Sequence, residues 1–82
     1  MNKNKKLVQA VAMAIRHFRK NSNLSQEELA AKADLDRTYI SGVERSVRNI
    51  TLDSLEQIIN ALDVDIKTFF SKVTDATNEL SD

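Results

Sequence analysis

Cysteine, proline and tryptophan are absent from the 82-residue chain, and glycine occurs once, at Gly42. Without cysteine there is neither a disulfide framework nor a thiolate metal site. His17 is the lone histidine, and its neighbour Arg16 supplies neither an acid nor a nucleophile. No metal-ligand cluster, catalytic constellation or glycine-rich phosphate loop is visible, so the expectation is a protein that is not an enzyme and carries no metal or cofactor. No apolar run approaches the roughly 20 residues of a membrane span. The first six residues are basic, but no apolar core of a signal peptide follows them, and a cytoplasmic protein with no membrane partner is expected.

An excess of charge is also missing, with 12 Lys/Arg against 12 Asp/Glu. The distribution is uneven. Residues 1–48 hold ten basic and five acidic side chains, a balance of +5, and residues 49–82 hold two and seven, a balance of −5. Such a split suits one face turned to a polyanion and another turned to something else.

With so few helix breakers and scarcely any alternating β-branched runs, the chain reads as all-α, one domain spanning 1–82. A domain of this size buries a modest core, and oligomerisation is an expected supplement. The first helix is predicted over about 5–20, where Leu7, Val8, Val11, Ile15 and Phe18 form one stripe. The second spans about 25–33, opened by Ser25 and Glu28 as a capping box. Ala33-Asp34-Leu35 makes a tight turn, and Asp36 caps a third helix over about 37–45. Thr51 caps a fourth, carrying Leu52, Leu55, Ile58, Ile59 and Leu62. Asp65 caps a fifth, with Ile66, Phe69, Phe70 and Val73, and the chain from Thr74 onward is expected to fray.

Two short helices joined by a turn of a few residues are the core of a helix-turn-helix. At about 100° per residue, Arg37, Thr38, Ser41, Gly42 and Arg45 share one side of the third helix. Tyr39, Ile40 and Val43 share the other. An apolar back with a small, hydrogen-bonding front suits insertion into a major groove. Arg37 and Thr38 stand in the first turn, where a recognition helix meets base edges, and arginine is the common bidentate reader of guanine; the alternative for Arg37 is a solvated turn. Gly42 costs a helix about 1 kcal/mol relative to alanine. Close packing against the second helix and close approach to DNA both explain it, and the wheel favours DNA.

Phosphate contacts are expected from the head of the second helix, Ser25 and Gln26, and from Tyr39 and Ser41. Arg48 and Asn49 grip the backbone, reach a minor-groove base edge, or belong to a solvated loop. Lys3, Lys5 and Lys6 read as a loose basic arm. Adjacent phenylalanines on one helix cannot both face the same core, so one of Phe69 and Phe70 is expected to fill the core and the other, with Ile66 or Val73, to join an isologous dimer contact; the alternative is a single wrapped core. Glu27 and Glu28 are candidates for an RNA polymerase contact or for simple solvation.

The stretch Ser25-Gln26-Glu27-Glu28-Leu29-Ala30-Ala31-Lys32-Ala33, followed by Asp36-Arg37-Thr38-Tyr39-Ile40-Ser41-Gly42-Val43-Glu44-Arg45, resembles the Cro/C1-type (Xre) helix-turn-helix family. With Arg48-Asn49 it resembles in particular the controller proteins of bacterial restriction–modification systems, over about residues 7–70. Asp34 stands where that family commonly has glycine, and aspartate tolerates the left-handed conformation better than most residues. The resemblance implies a five-helix, lambda-repressor-like fold and a homodimer on palindromic operators in double-stranded DNA, upstream of its own gene and an endonuclease gene. Activation at low occupancy and repression at high occupancy are implied with it. It also implies that Arg37 and Thr38 read bases, that Tyr39, Ser41, Arg48 and Asn49 hold the backbone, and that Arg19 and Glu44 form a structural salt bridge. A phage- or plasmid-type repressor or an antitoxin is the alternative within DNA binding. Outside it stands a protein-interaction module on the same fold, which would carry acids or bulky apolar groups on the front of the third helix.

Overall fold

The computed structural model describes residues 5–80. They form α1 (Lys6–Asn21), α2 (Gln26–Ala33), α3 (Arg37–Glu44), α4 (Leu52–Leu62) and α5 (Ile66–Glu79), with no strand among the described residues. Lys3, assigned above to a basic arm, lies outside them.

Three helix heads are closed by their own side chains. The Ser25 hydroxyl accepts the Glu28 N–H at 3.0 Å while the Glu28 carboxylate accepts the Ser25 N–H at 2.8 Å, completing the capping box. Thr51 accepts the Ser54 N–H at 3.0 Å, and Asp65 accepts the Thr68 N–H at 2.7 Å. The backbone and then the side chain of Thr68 hold the Asp65 carboxyl below its usual range.

The helix exits solve a problem that the scarcity of glycine creates. Left-handed residues end four helices, and they are Asn23, Asp34, Ser46 and Asp63, with φ between 58 and 64°. After α1, α2 and α3 the next residue donates its N–H five positions back: Leu24 to Arg19 at 3.1 Å, Leu35 to Ala30 at 2.9 Å and Val47 to Gly42 at 3.0 Å. The left-handed residue itself donates three back, as from Asn23 to Lys20 at 3.0 Å. This paired Schellman pattern satisfies carbonyls that would otherwise be orphaned, and it reverses the chain sharply.

The reversals fold α5 against α1 and α2 against both α3 and α4. Phe69, Ile15, Leu29, Ile40 and Ile58 are fully buried at the centre. Ala10, Ala14 and Ala76, each fully buried, let the two longest helices approach closely. The Phe69 ring lies 6.0 Å from that of Phe18.

The expectation of fraying from Thr74 is corrected. α5 continues to Glu79 because Ala76 is fully buried and Leu80 packs on the core. Two leucines assigned to apolar stripes, Leu7 and Leu52, are exposed at 63% and 84%. Each sits in the first turn of its helix, where the axis has not yet reached the core.

Candidate nucleic-acid interface

The turn between α2 and α3 is held from both sides. Asp34 takes the left-handed conformation, Leu35 inserts toward the core, and the Gln57 side chain of α4 donates to the Ala33 carbonyl at 2.9 Å. α3 then lies with Ile40 and Val43 buried and with Arg37, Thr38 and Arg45 exposed. The apolar back read from the helical wheel is therefore turned inward, while of the polar front only Arg37, Thr38 and Arg45 are exposed.

Behind α3, the Arg19 guanidinium meets the Glu44 carboxylate in a two-pronged pair, Nε to Oε2 at 2.7 Å and Nη2 to Oε1 at 2.9 Å. Its remaining Nη1 donates to the Leu24 carbonyl at 2.9 Å. Both side chains are buried, and hydrogen bonding to Glu44 raises the Arg19 pKa above its ordinary value, against the effect of desolvation. The Gln26 amide also donates to Glu44 Oε1, at 3.0 Å. One carboxylate thus ties the end of α3 to α1 and to the head of α2. The Gln26 side-chain nitrogen, considered above for phosphate, points inward to this pair.

The residues after α3 fold back onto it. A Cβ on Gly42 would stand 3.2 Å from Arg48 Cβ and 3.9 Å from Val47 Cγ2. The preference of the wheel for DNA as the reason for this glycine is therefore corrected. Gly42 is buried, and its missing side chain makes room for the returning loop. The fold-back sets the Arg48 guanidinium 5.0 Å from the centre of the Tyr39 ring, a cation–π distance. Tyr39 is half-buried against the core, and its hydroxyl is buried with no hydrogen-bond partner in the structure. Ser41 is half-buried, with its carbonyl accepting from Arg45 Nε at 3.3 Å. Ser25 and Asn49 are exposed. The Ser25 hydroxyl accepts the cap bond, and Asn49 continues the loop beyond Arg48.

The head of α3 departs from expectation. Asp36 occupies the N-cap position with extended backbone, but its side chain makes no cap bond; its carboxylate accepts the Thr38 hydroxyl instead.

Among the four dimer candidates on α5, Phe69 and Val73 are buried in the chain's own core, at 0% and 4% exposure; Phe69 is the phenylalanine that fills the core, and the candidacy of Val73 is corrected. A phenylalanine already enclosed on all sides has no surface to offer a partner. Ile66 and Phe70 do have surface, and with Leu52, Leu55, Glu56 and Ile59 they line an apolar groove between α4 and α5. The contribution of α4 was missed. Its signal was the width of the apolar face: Leu55, Ile58 and Leu62 fill a core stripe, while Leu52 and Ile59 lie on a second edge. No cluster of three or more potential metal ligands occurs among the described residues, and no helix there is long and apolar enough to cross a membrane.

A short helix with a polar front and an apolar back, held across a tight turn by a second helix, is the architecture of a helix-turn-helix DNA-binding domain. The helix-turn-helix family model matches residues 15–69. The chain is 51% identical over 53 residues to the control protein C.BamHI of Bacillus amyloliquefaciens, a match covering 65% of each chain. It is 40% identical over 62 residues to the control protein C.SmaI of Serratia marcescens, covering 76% of this chain and 74% of that one. It also superposes on the restriction–modification controller protein C.Esp1396I, solved as a tetramer with its natural 35 base-pair operator. There the TM-score is 0.84 with 42% identity, covering 88% of this chain and 95% of that one. The chain belongs to the Cro/C1-type helix-turn-helix family of DNA-binding regulators, and its relatives include restriction–modification control proteins.

Proposed function

We propose that this protein controls transcription in a restriction–modification system, binding palindromic operators in double-stranded DNA as a homodimer. α3 enters the major groove, Arg37 and Thr38 meet base edges, and Ser25, Gln26, Tyr39, Ser41, Arg48 and Asn49 hold the sugar–phosphate backbone. The observation that carries this reading is the front of α3, where Arg37, Thr38 and Arg45 are exposed and no acid or bulky apolar group of the helix itself stands in the way; the nearest acid, Asp36 just ahead of the helix, is joined to the Thr38 hydroxyl. Its position is set from behind by the Arg19–Glu44–Gln26 network. For Gln26 the backbone amide at the head of α2 is the phosphate donor, since the side-chain nitrogen is engaged with Glu44.

Two recognition helices must stand about 34 Å apart to meet successive major grooves. The apolar groove of Leu52, Ile66 and Phe70 offers a self-complementary contact for the second copy. Activation at low occupancy and repression at high occupancy complete the proposal, with the exposed Glu27 as a polymerase-facing candidate; Glu28 is committed to its capping box. Work of this kind belongs in the cytoplasm, where the operator is.

Binding selection from a random DNA pool, followed by a salt titration on the selected site, tests the proposal. An enriched palindrome with half-sites about one helical turn apart, and affinity falling steeply with salt, is the expected result. Retention without enrichment would overturn sequence-specific regulation and leave the protein-interaction module.

A further inference from the structure

Four helices begin at a residue whose side-chain oxygen is able to cap, and one of the four does something else. Ser25, Thr51 and Asp65 each accept the N–H three residues ahead. Asp36 is placed like them, with φ −80° and ψ 142°. Its carbonyl accepts the Tyr39 and Ile40 N–H groups at 3.0 and 3.2 Å, so the helix starts normally. Its carboxylate, however, makes no cap bond and takes the hydroxyl hydrogen of Thr38. A favourable cap, typically about 1 kcal/mol, is forgone at the one helix head that faces the groove.

This choice changes what Thr38 offers. A free threonine hydroxyl donates or accepts by rotating. With its proton held by Asp36, Thr38 Oγ1 presents lone pairs alone. In the major groove the donors are the exocyclic amino groups of adenine and cytosine, whereas guanine O6 and N7, thymine O4 and adenine N7 accept. An acceptor-only threonine pairs with the first set and leaves two oxygens facing each other at guanine O6 or thymine O4.

We propose that Asp36 is a specificity-determining positioning residue. By taking the Thr38 proton it fixes Thr38 as an acceptor, so that the base beneath Thr38 is read for an exocyclic amino group, adenine N6 or cytosine N4, and against a keto oxygen. The inference rests on α3 being the recognition helix. It carries a cost that is itself diagnostic: a carboxylate on the DNA-facing end of α3 repels phosphates of every sequence, so Asp36 trades general affinity for discrimination.

The test uses the full chain and its selected operator, with each of the four base pairs placed in turn at the position whose preference changes in Thr38→Val. Wild type should favour an amino over a keto group there by about three- to ten-fold, the contribution of one hydrogen bond. Asp36→Ala frees the hydroxyl and should cut that preference to about two-fold or less, while binding to random duplex strengthens. Asp36→Asn keeps an acceptor for the Thr38 proton and removes the charge; it should retain the preference and still strengthen random binding. The double variant Asp36→Ala/Thr38→Val should match Thr38→Val at that base pair. Thermal melts of each variant check that α3 is still folded.

Preference unchanged in Asp36→Ala would overturn the proposal, as would an equal loss at every base pair. A further change of preference at that base pair on adding Asp36→Ala to Thr38→Val would also overturn it, because Asp36 would then be reading the base itself. A wild-type protein with no preference at any position would instead remove the regulator reading, and this proposal with it.

Discussion

Phe69 and Phe70 are adjacent in sequence, chemically identical and 5.3 Å apart ring to ring, yet replacing each by alanine should give two different phenotypes. Phe69 is fully buried between α1 and α5, in contact with Phe18. Emptying that site removes the transfer energy of the ring and leaves a cavity, about 3–5 kcal/mol together. A domain of this length has roughly 4–12 kcal/mol in total, so Phe69→Ala should forfeit a large share of it and unfold at a clearly lower urea concentration. Phe70 is 36% exposed on the rim of the α4–α5 groove. In the isolated chain its loss should cost about 1–2 kcal/mol, since much of the ring is covered but it lies at the surface and no closed cavity forms. Its main effect should appear at the dimer: a weaker association and an unfolding midpoint that no longer rises with protein concentration. Urea titrations at two concentrations tens of fold apart, with sedimentation of each variant, give the answer. If Phe70→Ala remains dimeric while Phe69→Ala is folded and monomeric, the two rings have been assigned to the wrong sides of α5.

The remaining expectations follow from single contacts. Arg37→Ala should cost about 1–3 kcal/mol on the selected operator and relax preference at one base pair; an equal loss on random DNA, read by the same titration, would contradict base reading. Glu44→Ala should cost about 3–5 kcal/mol in chemical denaturation, because it strands the buried Arg19 guanidinium and the Gln26 amide; a loss below about 1 kcal/mol would mean that water reaches the site. Ser46→Gly should raise stability by about 1 kcal/mol, since serine sits at φ 63° where glycine is unstrained; a lower melting temperature would refute this. The Asp65 carboxyl is held below its usual range by Thr68. Its ionised form therefore adds stability at neutral pH, and that increment is lost as pH falls out of the ordinary carboxylate range and through the depressed folded-state value. Asp65→Asn keeps a cap but cannot titrate, so the stability gap between it and wild type should be flat near neutrality and narrow in acid; parallel profiles would show that Asp65 plays no part.

Much of the backbone was legible because its rules are local. The capping box at Ser25 and Glu28 and the caps at Thr51 and Asp65 each depend on groups within three residues of one another. Near-absent glycine hid most of the exits. Asn23, Ser46 and Asp63 perform the reversal that glycine would have advertised, and Ser46 in particular sits in a polar loop that reads as irregular. The far end of α5 was lost for the opposite reason: Ala76 carries almost no pattern signal, yet it is fully buried because α1 offers Ala10 and Ala14 as a shallow surface.

The front of the site was legible and its supports were not, and the difference is one of distance along the chain. Arg37, Thr38 and Arg45 lie on one side by helical arithmetic alone. The Arg19–Glu44 pair spans 25 residues and was accessible only through family resemblance, and the bond from Gln57 to the Ala33 carbonyl spans 24 and gave no sign. Gly42 shows how a wheel misleads. It locates a missing side chain on one face but does not say what approaches that face, and here a loop six residues on arrives first. Seating Arg48 against Tyr39 in this way ties the loop to the flank of α3 that packs on the core. A methyl group on Gly42 would displace that loop, and with it the backbone grip proposed for Arg48 and Asn49, while leaving Arg37 and Thr38 in place, so grip and base reading are separable properties of the same short segment.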